Sequence, residues 1–140
     1  MTDRLRQMLI EHEGLKLFPY VDTVGKTTIG CGRNLTDRGI TEQEAYRMLE
    51  HDIRIVRHEL SQFTWWRQLN TARQDALTDM CFNLGSSRFR TFHKMIQALQ
   101  NQDYDEAAAQ ALDSKWAHQV GRRAIDIANI LRTGHYNDGR

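Results

Sequence analysis

Proline, cysteine and aromatic residues are all scarce in this sequence. Its 140 residues include one proline and two cysteines, and only 9% of them are aromatic. Scarce proline and the lack of low-complexity tracts exclude a proline-rich linker and a largely disordered chain. The cysteines, Cys31 and Cys81, match no metal-ligand spacing, and a disulfide is not expected in a reducing compartment. We therefore expect two free, buried thiols and no metal site.

Long apolar runs and a large net charge are also missing. The longest apolar runs cover only a few residues, far short of the roughly 20 that a membrane-spanning helix needs. Residues 1–6 are polar and lack the apolar core of a secretory signal. The formal net charge is +1, whereas nucleic-acid-binding proteins usually carry a strongly basic patch. We expect a protein that is kept in the cytoplasm and neither spans a membrane nor binds nucleic acid.

The period of the apolar residues predicts an α+β protein that is mostly helical. An apolar face on residues 2–13 predicts a helix that Thr2 caps and Gly14 ends. Residues 15–34 are instead rich in glycine and β-branched side chains. That composition favours a small β-hairpin or meander, with a turn at residues 24–26.

Helical periodicity returns after residue 40. Thr41 with Glu44, and Thr71 with Gln74, match the capping box that opens a helix. The first box predicts a long helix over residues 41–60, and the second predicts a helix that ends at Gly85. Further helices are predicted around 92–99, over 103–112 and over 121–133.

These elements predict a single domain over residues 1–140 that is built as two lobes. The small lobe, about residues 14–40, holds the sheet, and the helix at about 41–60 links it to a helical lobe. The helical lobe comprises about residues 64–134 together with the helix at 2–13. A cleft between two such lobes is a natural ligand site.

Two acidic residues of this first region are candidates for acid and base catalysis. At about 100° per residue, Glu13 projects between Leu9 and Ile10, on the apolar side of its helix. We therefore expect Glu13 to be half-buried and, at the negative end of the helix dipole, to keep its proton to higher pH. Asp22 lies in a polar, turn-rich stretch that favours the ionised form. Such a pair can cleave a glycosidic bond, although the spacing alone is also compatible with two ordinary surface acids.

Longer motifs extend this pattern over nearly the whole chain. Around the two acids the sequence reads His12-Glu13-Gly14, Tyr20-Val21-Asp22-Thr23 and Thr28-Ile29-Gly30-Cys31-Gly32. Downstream it reads Phe82-Asn83-Leu84-Gly85, Asp105-Glu106-Ala107-Ala108, Ser114-Lys115-Trp116, Arg123-Ala124 and Arg132-Thr133-Gly134. In this order the motifs resemble phage lysozymes of the T-even type, glycoside hydrolase family 24. That family's spacing of a Glu, eight residues, an Asp, five residues and a Thr fits Glu13, Asp22 and Thr28 without a gap.

The resemblance implies a lysozyme-like fold and a muramidase that needs no cofactor. Its substrate would be the glycan strands of peptidoglycan, cut at the β-1,4 bond between N-acetylmuramic acid and N-acetylglucosamine. Glu13 would be the general acid, while Asp22 and Thr28 would position and activate the attacking water. Family members invert the anomeric carbon, which implies carboxyl groups about 6.5 to 9.5 Å apart. Arg123 matches a supporting arginine that pairs with the catalytic Glu in the family.

The resemblance also indicates residues that bind the sugar chain. Phe82 and Asn83 match positions that line the sugar groove of the family, although Asn83 replaces a longer Gln. Asn34 and Gln110 are two further candidates. Trp116 matches a core tryptophan, so we expect it to be buried rather than to stack on a sugar.

The chain also departs from the family at two places in the small lobe. Between Leu35 and Ile40 it is shorter than the longest members, so we expect the small lobe to have lost a hairpin or a helix there. Arg33 stands where some relatives have a histidine that forms a stabilising ion pair. The pH dependence of stability in those relatives is therefore not expected to carry over.

Three other functions stay open, of which a helix-turn-helix DNA binder built on residues 103–133 is the least favoured. A lytic transglycosylase also uses a lone glutamic acid but closes an anhydro ring, and the presence of Asp22 and Thr28 argues against it. A non-catalytic wall-binding or virion module is disfavoured because all three catalytic positions are present. The preferred function is that of an endolysin, a monomer that lyses the host cell. Without an export signal it would stay in the host cytoplasm and reach the wall after a holin permeabilises the membrane.

Overall fold

The computed structural model describes residues 2–137, and over them the chain divides into two compact units. The first unit ends at Met48 and the second begins at Leu49. The predicted class is confirmed, since the fold is a mostly helical α+β fold of the lysozyme-like kind with a small antiparallel sheet. The helix at the N-terminus falls in the same unit as the sheet, whereas the sequence prediction groups it with the helical lobe.

The first unit contains the sheet. Its elements are helix α1 (Asp3–Glu13), strands β1 (Lys16–Val21), β2 (Thr27–Gly30) and β3 (Arg33–Asn34), and helix α2 (Leu35–Arg38). The strands pair antiparallel in the order β1-β2-β3, with Tyr20 opposite Thr28 and Ile29 opposite Arg33. The predicted hairpin or meander is thus confirmed. The segment that was expected to have lost a hairpin or helix still forms the single turn of α2.

Helix α1 begins and ends where the sequence predicts. Thr2 Oγ1 accepts a hydrogen bond from Leu5 N at 3.1 Å, and Gly14, with a φ of +81°, follows the last residue. The apolar face of α1 is not covered, because the helix contains no buried residue and Leu9 is 43% exposed. The helical angle predicts the direction of that face correctly but does not predict its burial.

Helix α3 (Glu42–Leu60) is the predicted long helix. Its capping box is confirmed, because Glu44 N donates to Thr41 Oγ1 at 3.1 Å and Thr41 N donates to Glu44 Oε1 at 2.9 Å. These two bonds satisfy backbone N–H groups that a helix start leaves without an intrahelical partner. At the other end of α3, Leu60 is buried in the core.

The second predicted capping box is wrong. Helix α4 (Thr71–Leu84) is capped by Asn70, whose Oδ1 accepts a hydrogen bond from Arg73 N at 3.0 Å. Thr71 is the first helical residue instead. The side chain of Gln74 donates to Trp66 O at 3.1 Å, so it takes no part in the cap.

The second unit is helical throughout its regular structure. After α4 it contains α5 (Ser86–Phe89), α6 (His93–Gln100), α7 (Tyr104–Leu112), α8 (Lys115–Val120) and α9 (Arg122–Thr133). Helices α6, α7 and α9 match the predicted ones closely. The sequence did not predict α5, α8 or a 3-10 turn at Trp66–Gln68, because such short segments show no helical period. Among the described helices, none is long and apolar enough to cross a membrane.

The hydrophobic core lies among the helices of this second unit. Its largest fully buried side chains include Phe89, Leu77, Met80, Leu99 and Leu131. Each fully buried side chain of this size stabilises the fold by about 1.5–3 kcal/mol relative to its exposed state. Trp116 also lies in this cluster, which confirms the prediction that it is buried.

The cysteines are free, as expected, but only one of them is buried. Cys81 belongs to the core, and burial raises the pKa of its thiol, which makes it a poor nucleophile. Cys31 is exposed, so the prediction that it is buried is wrong. It lies between β2 and β3, outside both strands, and not on a strand face that packs against a core.

Candidate active site

A tight turn joins β1 to β2 and carries Asp22. Asp22 N donates to Lys26 O at 2.9 Å, and Gly25 N donates to Asp22 O at 3.1 Å. Gly25 has a φ of +84°, a conformation that glycine adopts at little steric cost. The turn predicted at residues 24–26 is therefore confirmed, and Asp22 stands at its first corner.

The Asp22 carboxylate is held by the backbone of its own turn. Oδ1 accepts hydrogen bonds from Val24 N at 3.0 Å and from Lys26 N at 2.8 Å, the pattern by which Asp side chains stabilise turns. Within residues 2–137, Oδ2 has no hydrogen-bond partner. One oxygen is thus fixed, while the other is available to accept a hydrogen bond from water or substrate.

Thr28 is joined to Asp22 through a single residue. It lies on β2, is only 4% exposed, and donates from Oγ1 to Lys26 O at 3.0 Å. The Lys26 backbone therefore binds both side chains, since its N–H donates to Asp22 and its carbonyl accepts from Thr28. The structure brings these two predicted site residues together. The contacts of Lys26 were not predictable, because backbone groups carry no sequence signal of their own.

Glu13 is the last residue of α1 and lies against the loop that follows β2. A Cβ atom added to Gly32 would lie 2.8 Å from Glu13 Oε2. The carboxylate is therefore beside the end of the strand that carries Thr28. The side chain is exposed, so the predicted half-burial is wrong, because the apolar face of α1 on which it depends is itself exposed.

Gly32 is a second residue of this site that the sequence analysis missed. It has a φ of +82°, and Gly30 two residues earlier has a φ of +69°. Glycine within or beside a strand often marks a place where another group approaches the backbone closely. The pair of glycines around Cys31 was the available signal, and the group that approaches Gly32 is Glu13.

Asn34, a predicted sugar-binding residue, caps helix α2. Its Oδ1 accepts from Asp37 N at 3.0 Å, and its Nδ2 donates to Asp37 Oδ2 at 3.0 Å. Both ends of the amide are therefore engaged within the first unit. Contact between Asn34 and a sugar stays a prediction.

Phe82 and Asn83 lie near the end of α4 in the second unit. Phe82 is 41% exposed and lines a groove of about 360 Å³ together with Leu49 and Ile53. Asn83 Oδ1 accepts a hydrogen bond from Trp116 Nε1 at 2.9 Å. Phe82 thus offers an apolar surface, whereas Asn83 already uses its carbonyl to satisfy a buried indole.

Arg123, the predicted supporting residue, forms an ion pair in the second unit. Its Nε donates to Asp79 Oδ1 at 2.7 Å, and its Nη2 donates to Asp79 O at 3.2 Å. This fixes the guanidinium on helix α4. Its pairing with Glu13 stays a prediction.

Gln110 lines a cavity of about 460 Å³ in the second unit. Four basic side chains share the lining, namely those of Arg88, His93, Lys94 and Lys115. Gln110 Nε2 donates to Glu106 Oε1 at 2.7 Å. This basic cluster was not predictable from the sequence, because the four residues come from separate segments that only the fold brings together.

The described residues offer acid and acceptor groups rather than a metal centre. No group of three or more His, Cys, Asp or Glu side chains within residues 2–137 is placed to hold a metal ion. In the first unit, Asp22 Oδ2 and the lone pairs of Thr28 Oγ1 are hydrogen-bond acceptors, and Glu13 carries a carboxyl group at the surface. This set can orient a water molecule and supply a proton without a cofactor.

Comparison with known proteins places these features in a family. The family model for phage lysozyme matches residues 10–129. The chain is 28% identical over 160 aligned positions to the pre-baseplate central spike protein Gp5 of Enterobacteria phage T4, which covers 94% of this chain but only 28% of that relative. It is 25% identical to probable T4-type lysozyme 1 of Dictyostelium discoideum, with 98% of both chains covered. It is 26% identical to probable T4-type lysozyme 2 of the same organism, with 96% of both covered.

The family match includes every residue of the first-unit site and reaches into the last helix. It contains Glu13, Asp22, Thr28 and Gly32, as well as Arg123 in α9. The lysozyme-like α+β fold and the extent of the match agree with each other. The chain belongs to the phage lysozyme family.

Proposed function

We propose that this protein hydrolyses the β-1,4 bond between N-acetylmuramic acid and N-acetylglucosamine in peptidoglycan. Membership of the family supports lysozyme-type hydrolysis of peptidoglycan. The assignment of Asp22 and Thr28 to one catalytic group rests on one observation: the Lys26 backbone binds both side chains. In this proposal Glu13 is the general acid, Asp22 and Thr28 position the water, and no cofactor takes part.

The hydrogen bonds at Lys26 determine what Thr28 can do for a water molecule. A hydroxyl group has one donor and two acceptor lone pairs. Thr28 uses its donor on the Lys26 carbonyl, so toward a water it acts as an acceptor. Asp22 Oδ2 is an acceptor as well. A water that donates its two protons to these two groups presents its own lone pair to the sugar.

Glu13 supplies the other half of the reaction. Cleavage of a glycosidic bond requires an acid that protonates the leaving oxygen. Such an acid must come within hydrogen-bond reach of that oxygen, and the exposed side chain of Glu13 is open to a polymeric substrate. With water as nucleophile, the reaction inverts the anomeric carbon.

The sugar chain would be bound by Phe82, Asn83, Asn34 and Gln110, with Arg123 in support of Glu13. Phe82 has an exposed ring, and an aromatic ring can pack against the apolar face of a sugar. Gln110 lines a cavity with basic side chains, which suits a wall polymer that carries carboxylates. Asn34 and Asn83 would bind through the hydrogen-bonding capacity that their contacts to Asp37 and Trp116 leave unused.

In a cell, we propose that the enzyme acts as an endolysin. It would accumulate as a monomer in the host cytoplasm and reach the wall after a holin has permeabilised the membrane. The description of the matched family as phage lysozyme supports this role. Two of the relatives are named T4-type lysozymes of Dictyostelium discoideum, so members of the family also occur outside phages.

Mass spectrometry of digested, borohydride-reduced cell walls tests the proposed reaction. Hydrolysis at the proposed bond gives muropeptides that end in reduced muramic acid. Ends with an anhydro ring would contradict hydrolysis and identify a lytic transglycosylase. Ends in reduced glucosamine would show that a different glycosidic bond is cut. Binding to walls without any product would identify a non-catalytic wall-binding or virion module.

A further inference from the structure

Gly32 stands out among the glycines of the first unit by what lies beside it. A Cβ atom at Gly32 would meet Glu13 Oε2 at 2.8 Å and Glu13 Cδ at 3.3 Å. Gly14, Gly25, Gly30 and Gly39 also have a positive φ, but a Cβ at any of them would have no such neighbour within 4 Å. At Gly32 a side chain would therefore meet the Glu13 carboxylate in addition to an unfavourable backbone conformation.

The contact matters because little else in the first unit holds the Glu13 carboxylate. Among residues 2–48, that carboxylate has no hydrogen bond and no ion pair, and the side chain is exposed. An exposed Glu normally samples several rotamers. A backbone that lies close on one side removes part of that freedom.

We propose that Gly32 is a positioning residue for Glu13. Because it has no side chain, it leaves a slot beside the end of β2 in which the Glu13 carboxylate lies. The slot directs the carboxylate toward the strand that carries Thr28. This inference rests on the proposed function, in which Glu13 is the general acid.

A bulkier residue at position 32 would displace the acid rather than unfold the unit. A Cβ contact below 3.0 Å forces one partner to move, and the terminal carboxylate moves more readily than the backbone. Gly32→Ala is therefore expected to lower kcat by about 10²-fold, the scale of a misplaced catalytic group. The KM should change little, because no sugar-binding residue is altered.

Gly39→Ala is the matched control. Gly39 has a φ of +59° and open space around its Cα, so the control carries backbone strain without the collision. Both variants should unfold at a lower temperature than wild type. Only Gly32→Ala should also have a kcat lower than that of wild type. If the two variants show equal kcat and equal unfolding temperatures, the positioning role is wrong.

The carboxyl carbon of Glu13 gives a readout that does not depend on turnover. With ¹³C-labelled glutamate, the Glu13 resonance is assigned by its loss in Glu13→Gln. It should shift in Gly32→Ala and coincide with wild type in Gly39→Ala. Should Gly32→Ala fail to fold, Gly32→Asn repeats the test with a residue that tolerates a positive φ better.

The two readouts keep two kinds of failure distinguishable. A Glu13→Gln variant with wild-type turnover overturns the proposed function. A Glu13 resonance that does not move in Gly32→Ala or Gly32→Asn overturns the positioning role, whatever the activity of the enzyme.

Discussion

Arg33 and Glu44 form an ion pair with two parallel hydrogen bonds. Arg33 Nη1 donates to Glu44 Oε1 at 2.9 Å, and Arg33 Nη2 donates to Glu44 Oε2 at 2.8 Å. Arg33 Nη1 also donates to Gly39 O at 3.1 Å, and Glu44 closes the cap of α3 through Thr41. One carboxylate thus ties strand β3 to the start of helix α3. The hydrogen bonds from Arg33 and the Thr41 backbone lower the pKa of Glu44 to about 2.

The lowered pKa of Glu44 predicts a stability that falls in acid. The stabilisation is complete above the ordinary pKa of Glu, about 4.5, and is lost as the pH falls toward the folded value of about 2. Glu44→Gln should therefore be less stable than wild type at neutral pH and should lose less stability between pH 5 and pH 2.5. Urea unfolding at several pH values measures the difference.

The control for this prediction is Glu50→Gln, which alters an exposed Glu on the same helix. It should follow the wild-type pH dependence. If Glu44→Gln does so too, the ion pair with Arg33 contributes nothing to the acid sensitivity of the fold.

The cap of α4 predicts different costs for two neighbouring substitutions. Asn70→Ala removes the acceptor for Arg73 N and the hydrogen bond from Nδ2 to Gly134 O at 2.8 Å. It should lower the free energy of unfolding by about 0.5–2 kcal/mol, the range measured for lost caps. Thr71→Ala should cost much less, since Thr71 is helical and exposed. Urea unfolding of both variants measures the two costs. A larger loss of unfolding free energy in Thr71→Ala than in Asn70→Ala would contradict the assignment of Asn70 as the cap.

The errors in predicting helix starts have a physical cause. At Thr41 the capping box is correct, because Glu44 also lies within reach of the Thr41 N–H. At Thr71 the preceding Asn70 is the better cap, since Asn is preferred over Thr at the N-cap, and the capping-box spacing of Thr71 and Gln74 pointed one residue too far along the chain. The one-turn helices α2 and α5 are too short to show an apolar period.

The local turn of the candidate site was predictable from the sequence, but its contacts were not. The turn after Asp22 followed from glycine and β-branched residues, whereas the catalytic roles of Glu13, Asp22 and Thr28 stay a prediction. The exposure of Glu13 was predicted wrongly. The angular position of a residue around a helix shows which face is apolar, but it does not show whether another element covers that face. The contacts of Lys26 and Gly32 depend on strand register and backbone φ, and neither can be read from the residue types in the sequence.

Thr28 should be sensitive to loss of its hydroxyl but not of its methyl group. Thr28→Val keeps the shape yet removes both the bond to Lys26 O and the lone pairs proposed to hold the water. It should lower kcat by about 10²-fold, as expected for a misplaced reactant. Thr28→Ser keeps the hydroxyl and should retain most of the turnover. Steady-state kinetics on soluble glycan fragments provides the comparison, and equal rates for Val and Ser would exclude a role of the hydroxyl in orienting water.

The stereochemistry of the product tests the role of Asp22. If Asp22 activates a water, the first product from a β-linked glycan is the α-anomer, because attack comes from the opposite face. Proton NMR of the anomeric signals, recorded before mutarotation, measures this directly. A β-anomer as the first product would mean retention, with Asp22 as a covalent nucleophile and no oriented water.

The rate of reducing-end release by Glu13→Gln tests most directly whether Glu13 is the general acid. Glu11→Gln is the matched control, because Glu11 is an exposed Glu on the same helix. With purified cell walls as substrate, Glu13→Gln should be slower than wild type by about 10²-fold or more, while Glu11→Gln stays close to the wild-type rate. Reducing ends released by Glu13→Gln at the wild-type rate would contradict the assignment.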